Sequence, residues 1–208
     1  GGGGSVLIGG DYQGKGSLAR SKSTTLQSGS IVKADAIDSG DGGRVIVWSD
    51  GITTFAGSLS ARAGGQSGNG GFIEVSGREN LKFTGWVTLD ALRGHGGTLL
   101  IDPLDIIVGP DGEKSLGTDN DPHTYGSTEA IGQSVTIANG TINKILQGGA
   151  TVTLDAARDI LINAPIDGRS GVGGGGIEFF AGRGLFINAP IVTNNGSITI
   201  EVGNGPRP

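Results

Sequence analysis

Short runs in which apolar and polar residues alternate recur along this chain at a nearly constant spacing. Residues 43–63 resemble residues 71–91 when the second segment is moved back by 28 positions. This offset aligns Val45 with Ile73, Val47 with Val75, Phe55 with Phe83 and Leu59 with Val87. Leu99 and Ile101 begin a third, partial copy at an offset of 26. Each copy contains two alternating runs and no helical pattern, which predicts one coil of a parallel β-helix.

The alternation also predicts which side chains face the interior, because successive residues of a strand point to opposite faces of a sheet. Glu74 lies between Ile73 and Val75, and a charged side chain favours solvent. We therefore expect Glu74 to face solvent and the aligned aliphatic residues to line the core. The same reasoning places Phe55 and Phe83 inside, as a ladder with a spacing of about 4.8 Å.

A second block of repeats covers residues 150–202, with an offset of 25. The apolar pairs that align are Val152 with Ile177, Leu154 with Phe179, Ile160 with Leu185, Ile162 with Ile187, and Ile166 with Ile191. Asn163 and Asn188 align as well. Stacked asparagines join neighbouring strands through their side-chain amides, so we expect these two to form a ladder.

Together the repeats predict an all-β fold, a parallel β-helix (solenoid) of roughly eight coils and about 40 Å in length. The chain 1–208 is interpreted as one segment, with repeat blocks at 1–109 and 150–202, a loop excursion with a short helical turn at 110–149, and a tail at 203–208. Stretches without alternation near 11–29 and 111–128 predict loops that leave the coil.

The helical turn is predicted at 141–147. Ile142, Ile145 and Leu146 have the spacing of one helix face, and glycine follows at Gly148.

Composition narrows the classes of function. Glycine accounts for 43 of 208 residues, but it falls at fixed places between the alternating runs, which favours order over low complexity. The formal net charge of −5 without a basic run argues against nucleic acid as a partner. The sequence has no cysteine, and no apolar run approaches the roughly 20 residues of a membrane span, so no membrane insertion is expected. The missing Met and signal peptide indicate a segment of a longer protein.

Several motifs occur in the same order as in a known family. They are Gly-Gly-Asp-Tyr-Gln-Gly at 9–14, Asp-Gly-Gly-Arg-Val-Ile-Val-Trp-Ser-Asp at 41–50, Thr-Phe-Ala-Gly at 54–57, Ser-Ala-Arg-Ala-Gly-Gly at 60–65, Gly-Gly-Phe-Ile-Glu-Val-Ser-Gly at 70–77 and Gly-Thr-Leu-Leu-Ile-Asp-Pro at 97–103. With them, most of 1–109 resembles the shaft of filamentous-haemagglutinin-like exoproteins, the two-partner secretion adhesins of Gram-negative bacteria. Residues 131–202 resemble it more loosely. The resemblance implies a right-handed parallel β-helix.

The resemblance also implies a secreted protein of the bacterial cell surface that acts in cell adhesion or biofilm formation. Its partners would be a glycan or protein receptor and, for the parent chain, an outer-membrane transporter. The Asn-Pro-Asn-Gly type of secretion motif does not occur here, so no transporter-binding site is transferred to this segment. The stalk of a contact-dependent toxin has the same shaft and stays an alternative.

Residues that catalysis would need are few. The outward acidic residues are scattered over Glu74, Asp90, Asp155, Glu178 and Glu201, so neither an enzyme nor a cofactor is expected. A carbohydrate-active β-helix enzyme, a lyase or hydrolase, is the alternative. It would require an open groove with two carboxylates within about 10 Å of each other.

The two histidines do not indicate a catalytic or metal site. His95 lies in a glycine-rich turn and is expected to be solvated. His123 lies near Asp119, Asn120 and Asp121, whose oxygens suit Ca²⁺. The glycine and the distal glutamate of a calcium-binding loop are missing, so no metal site is predicted.

Trp48 and Trp86 are the candidate ligand-binding residues. Strand parity directs both side chains outward, and an exposed indole can stack on a sugar ring or anchor a protein partner. The alternative is that each indole covers a neighbouring turn or loop, such as the 11–29 excursion.

Overall fold

The computed structural model describes residues 1–111 and 134–203. These residues form mainly β-strands, as predicted. In chain order, the strands are β1 (Ser5–Ile8), β2 (Ser23–Leu26), β3 (Ile31–Lys33), β4 (Arg44–Val47), β5 (Ile52–Phe55), β6 (Ser58–Ser60), β7 (Phe72–Val75), β8 (Asn80–Phe83), β9 (Trp86–Thr88), β10 (Thr98–Ile101), β11 (Asp105–Gly109), β12 (Ser134–Ala138), β13 (Thr151–Ala156), β14 (Asp159–Ile162), β15 (Ile166–Asp167), β16 (Ile177–Ala181), β17 (Gly184–Ile187), β18 (Ile191–Val192) and β19 (Ile198–Val202). An α-helix, α1 (Asn139–Gln147), lies between β12 and β13.

All sheets in the described ranges are parallel. The largest has seven strands in the order β1-β4-β7-β10-β13-β16-β19, so each strand pairs with the equivalent strand of the next repeat. The others have the orders β2-β5-β8, β12-β11-β14-β17, β3-β6-β9 and β15-β18. We call the face of the seven-stranded sheet that points away from the core the outer face.

Strand register follows the repeat offsets. Val45 pairs with Ile73, Ile73 with Leu99, and Leu99 with Val152, so one row of apolar side chains crosses the seven-stranded sheet. Phe55 pairs with Phe83, and the offset of 25 holds for all five aligned pairs of the second block. These rows contribute to a single buried cluster, which confirms the predicted interior positions except that of Ile187. Ile187 lies on β17, the last strand of its sheet, and 47% of its surface is exposed.

The segment 110–149 contributes more structure than predicted. The helix was placed correctly, since Ile142, Ile145 and Leu146 are buried and the helix ends at Gly148, although it begins earlier, at Asn139. The strand β12, however, was not predicted. It pairs in parallel with β11 and lies beside β8, so it occupies the position between these two strands. The predicted loop at 111–128 lies, except for Asp111, outside the described residues, as does the tail beyond Gly203.

The predicted loop excursion at 11–29 is wrong in its second half. Residues 23–26 form β2, which pairs in parallel with β5 and buries Thr24 and Leu26. Residues 10–15 cross the outer face over Trp48 and Glu74, and they contain a 3-10 turn, Tyr12–Gly14. We call residues 10–15 the strap. The sequence prediction failed at β2 because Ser-Thr-Thr-Leu offers only one large apolar residue to the alternation.

The described ranges hold no helix that is long and apolar enough to cross a lipid bilayer.

Candidate ligand-binding surfaces

Trp86 points outward, as predicted. It lies on β9, at the edge of the sheet β3-β6-β9, and 54% of its surface is exposed. The Nζ atom of Lys144, on α1, lies 4.1 Å from the centroid of the indole ring. This is a cation–π contact, in which the ammonium group is attracted to the electron-rich face of the ring. Trp86 and Lys144 thus form an exposed pair of an aromatic ring and a cation.

Trp48 also points outward, as predicted, but it is buried, so the prediction of an exposed indole at this position is wrong. Only 6% of its surface is accessible, because the strap lies across the ring. A Cβ atom on Gly10 would be 2.5 Å from Cδ1 of Trp48, and one on Gly14 would be 2.6 Å from Cζ2. Only glycine at both positions lets the backbone approach the indole this closely. The alternative, in which Trp48 covers the 11–29 excursion, is the one observed.

Glu74 is likewise covered, which corrects the expectation that it faces solvent. Its position in β7 directs the side chain outward, as predicted, but the side chain is fully buried beneath the strap. The backbone N–H of Gln13 donates to both carboxylate oxygens, at 3.1 Å each. Burial raises the pKa of Glu74 to about 7, the Gln13 hydrogen bond opposes this rise, and the negative charge of Asp102 adds to it.

Asp102 lies under the same part of the strap and was not singled out from the sequence. Burial raises its pKa to about 7, the charge of Asp155 adds to the rise, and a hydrogen bond from the Gln13 side chain opposes it. Gln13 therefore binds two carboxyl groups, one through its backbone and one through its side chain. The sequence signal that could have found this pair is their shared outward parity at one end of adjacent strands.

Next to the strap, the outer face forms an open groove. Tyr12 and Phe72 form one wall, with their ring centroids 5.8 Å apart in an edge-to-face arrangement, and the guanidinium group of Arg44 lies 5.1 Å from the Tyr12 centroid. Burial and the nearby Glu74 raise the pKa of the Tyr12 hydroxyl. The floor is formed by residues of the later repeats, namely Thr98, Leu100, Thr153, Asp155, Glu178, Phe180 and Glu201. The register places the three acidic residues of this floor, Asp155, Glu178 and Glu201, on one face, so these residues are less scattered than the sequence indicated.

The side chains of both predicted ladders, the phenylalanine pair and the asparagine pair, are in contact. Phe55 and Phe83 are buried, with ring centroids 5.0 Å apart. Nδ2 of Asn188 donates to Oδ1 of Asn163 at 2.9 Å, which confirms the asparagine ladder. Both ladders link neighbouring repeats.

The two histidines are the remaining polar candidates. His95 is exposed in its turn, as expected, and its backbone N–H donates to Oδ1 of Asn69 at 2.9 Å. His123 and the acidic residues at 119–121 lie outside the described residues. Across 1–111 and 134–203, no three Asp, Glu or His side chains are grouped so that they could hold a metal ion.

Comparison with protein-family models and with curated protein sequences gives no match.

Proposed function

We propose that this chain is a right-handed parallel β-helix of roughly eight coils that serves as a rod-like segment of a secreted bacterial surface adhesin. The observation that carries the proposal is the strand register. Equivalent residues of successive repeats pair across a seven-stranded parallel sheet and across the shorter sheets that face it. Right-handedness is supported by the strong general preference of parallel crossover connections for that hand.

A stack of this kind suits a mechanical role. A single repeat cannot enclose its apolar side chains, whereas stacked repeats bury a continuous core and satisfy the backbone hydrogen bonds between strands. The buried cluster runs from Leu26 in the first repeat block to Ala181 in the second. Bending such a rod would separate hydrogen-bonded strands, so it can hold a binding surface away from the cell.

The adhesive part of the proposal is supported by the resemblance of residues 9–103 to adhesin shafts and by two surfaces. The first is Trp86, whose exposed indole suits stacking on a sugar ring. The second is the outer-face groove, where the aromatic wall of Tyr12 and Phe72 stands beside carboxylates that can accept hydrogen bonds from sugar hydroxyls. The partner is a glycan or protein receptor, and the parent chain would be exported through an outer-membrane transporter.

Two measurements test this proposal. Small-angle X-ray scattering should show an elongated particle, and a compact sphere would refute the rod.

On a glycan array, Trp86→Ala should weaken binding roughly tenfold, since loss of a contacting aromatic side chain costs about 1–2 kcal/mol. Phe186→Ala is the matched control, because Phe186 is an aromatic residue with 37% exposure on another strand, β17. Absence of binding by the wild-type protein, or equal binding by both variants, would contradict the adhesive role of Trp86.

A second candidate function, cleavage of a polysaccharide, is favoured by one observation. Asp102 has a pKa of about 7 because of burial and the charge of Asp155, and a general acid works best when its pKa is near the working pH. The two residues directly follow the paired residues Ile101 and Leu154, so their backbones are about 5 Å apart. Release of reducing ends from polysaccharides, lost in Asp102→Asn and in Asp155→Asn, would support this function. No release by the wild-type protein would refute it for the substrates used.

A further inference from the structure

Beneath the strap, two carboxyl groups and an indole are enclosed together. Glu74 is fully buried, Trp48 is 6% exposed, and Asp102 lies close enough to Glu74 for their charges to interact. Residue 13 of the strap holds both acids, through its backbone N–H to Glu74 and its side chain to Asp102. A structural cover alone does not need two acids, because apolar residues would pack there without the cost of desolvating a charge.

The strap itself is held in a conformation that it would leave readily. Gln13 has φ = 49° and Gly14 has φ = 64°, and the left-handed region is unfavourable for a residue with a side chain such as Gln13. Two backbone hydrogen bonds close the turn, from Gly14 N–H to Asp11 C=O and from Lys15 N–H to Tyr12 C=O. The contacts with Glu74, Asp102 and Trp48 therefore have to keep this turn in place.

Charged groups on the neighbouring elements do not neutralise the two acids. Arg44 on β4 and Lys15 on the strap favour ionisation, since each lowers the pKa of one acid. Asp155 on β13 and the acids themselves disfavour it, and Tyr12 on the strap is a further acidic group whose own pKa is raised by Glu74. Burial outweighs the favourable contacts, so both acids hold a proton more firmly in the covered state than they would in water.

We propose that the strap is a pH-dependent cover, which stays closed over Trp48 while Glu74 and Asp102 are protonated and opens as both become ionised. Opening hydrates the two carboxylates and exposes the indole directly beside the outer-face groove. The open state therefore presents Trp48 and Phe72 on the outer face, while Tyr12 moves away with the strap. This inference depends only on the contacts under the strap and holds whether or not the chain is an adhesin.

Proton linkage sets the direction and the size of the effect. The pKa of Glu74 is about 7 when covered and 4.5 when solvated, so the covered state binds the proton more tightly. The equilibrium constant for opening therefore rises between pH 4.5 and 7, by at most roughly 300-fold for Glu74 alone. Asp102 acts in the same direction.

Hydrogen exchange of the strap measures this equilibrium, because even a rare open state allows exchange. After correction for the intrinsic pH dependence of exchange, the protection of the amides of residues 13–15 should fall at least tenfold between pH 5 and pH 8. In Glu74→Gln/Asp102→Asn, whose side chains stay neutral, protection should not depend on pH. Glu178→Gln is the matched control, since Glu178 lies on the same outer face on β16, two strands from β10, which Asp102 follows, and it should retain the wild-type fall.

A second readout follows Trp48 itself. The chain has two tryptophans, so in a Trp86→Phe background the fluorescence reports Trp48 alone. Acrylamide quenching should increase with pH in this background, and Gly14→Ala, which forces the strap away from the indole, should give high quenching at every pH. Far-UV circular dichroism that is constant with pH shows that the sheets stay folded. The proposal would be overturned if the hydrogen-exchange protection of the strap amides did not change with pH in the wild-type protein. It would also be overturned if this protection fell equally in Glu74→Gln/Asp102→Asn.

Discussion

Truncation of Phe55 to alanine tests the interior at one of its largest fully buried side chains. The ring has no exposed surface, its centroid is 5.0 Å from that of Phe83, and its Cζ would be 2.5 Å from a Cβ on Gly85. Removal of such a ring from a packed core costs about 3–5 kcal/mol of the free energy of unfolding, because a cavity stays behind. Phe83 is 4% exposed, and its truncation should cost a similar amount.

The pair should also show direct coupling. Edge-to-face aromatic pairs contribute about 0.5–1.5 kcal/mol beyond the area they bury, and the two rings make an interplanar angle of 76°. In a double-mutant cycle, Phe55→Ala/Phe83→Ala should therefore be less destabilised than the sum of the single variants by about that amount. Urea unfolding followed by far-UV circular dichroism gives the three free energies.

Phe186→Ala provides the control for this cycle, since its side chain is 37% exposed and its truncation should cost less than about 1 kcal/mol. Strictly additive effects of Phe55 and Phe83, or a cost below about 1 kcal/mol for Phe55→Ala, would mean that the two repeats are not stacked through this ladder.

Three further predictions concern polar contacts. Glu74→Gln should stabilise the protein by up to about 3 kcal/mol at pH 8 and have little effect at pH 4. The reason is that the raised pKa of Glu74 makes the wild-type protein lose stability as the pH rises from 4.5 to 7. Urea unfolding at both pH values measures this difference, and an equal effect of the substitution at both would contradict it. Asn188→Ala should cost about 0.5–1.5 kcal/mol in the same assay through loss of its bond to Asn163, and a neutral result would make this ladder incidental. Asp105→Ala removes the carboxylate that accepts hydrogen bonds from Nε of Arg158 and from the backbone N–H of Asp159. This change should cost about 3 kcal/mol, measurable as a lower Tm, with an unchanged Tm as the contrary outcome.

The rows of interior residues could be predicted because two periods agree. Alternation along a strand gives the face, and the offsets of 25 to 28 give the neighbour in the next repeat. Val45 and Ile73, or Ile162 and Ile187, need no other information to be paired correctly. The same holds for α1, where the spacing of Ile142, Ile145 and Leu146 repeats with the period of a helix.

The outer face could not be predicted in this way, because parity tells which side of the sheet a residue takes and not what covers that side. Trp48 and Glu74 do point outward, yet the strap buries both. Among residues 1–111 and 134–203, the strap has no counterpart in the other repeats, so the repeat spacing does not predict it. The sequence signals of this cover are the glycines at positions 10 and 14, which leave room for the flat indole ring.

The position of β12 has a consequence for how this protein folds. The chain forms β8, then β11, and only afterwards the strand that separates them, so the spatial order differs from the order of synthesis. Until residue 138 has been synthesised, β12 is not there to cover the edge of β8, and β11 can pair with that edge incorrectly. Assembly from one end to the other, strand by strand, is therefore interrupted at this point, and the two repeat blocks can join correctly only after the inserted strand has arrived.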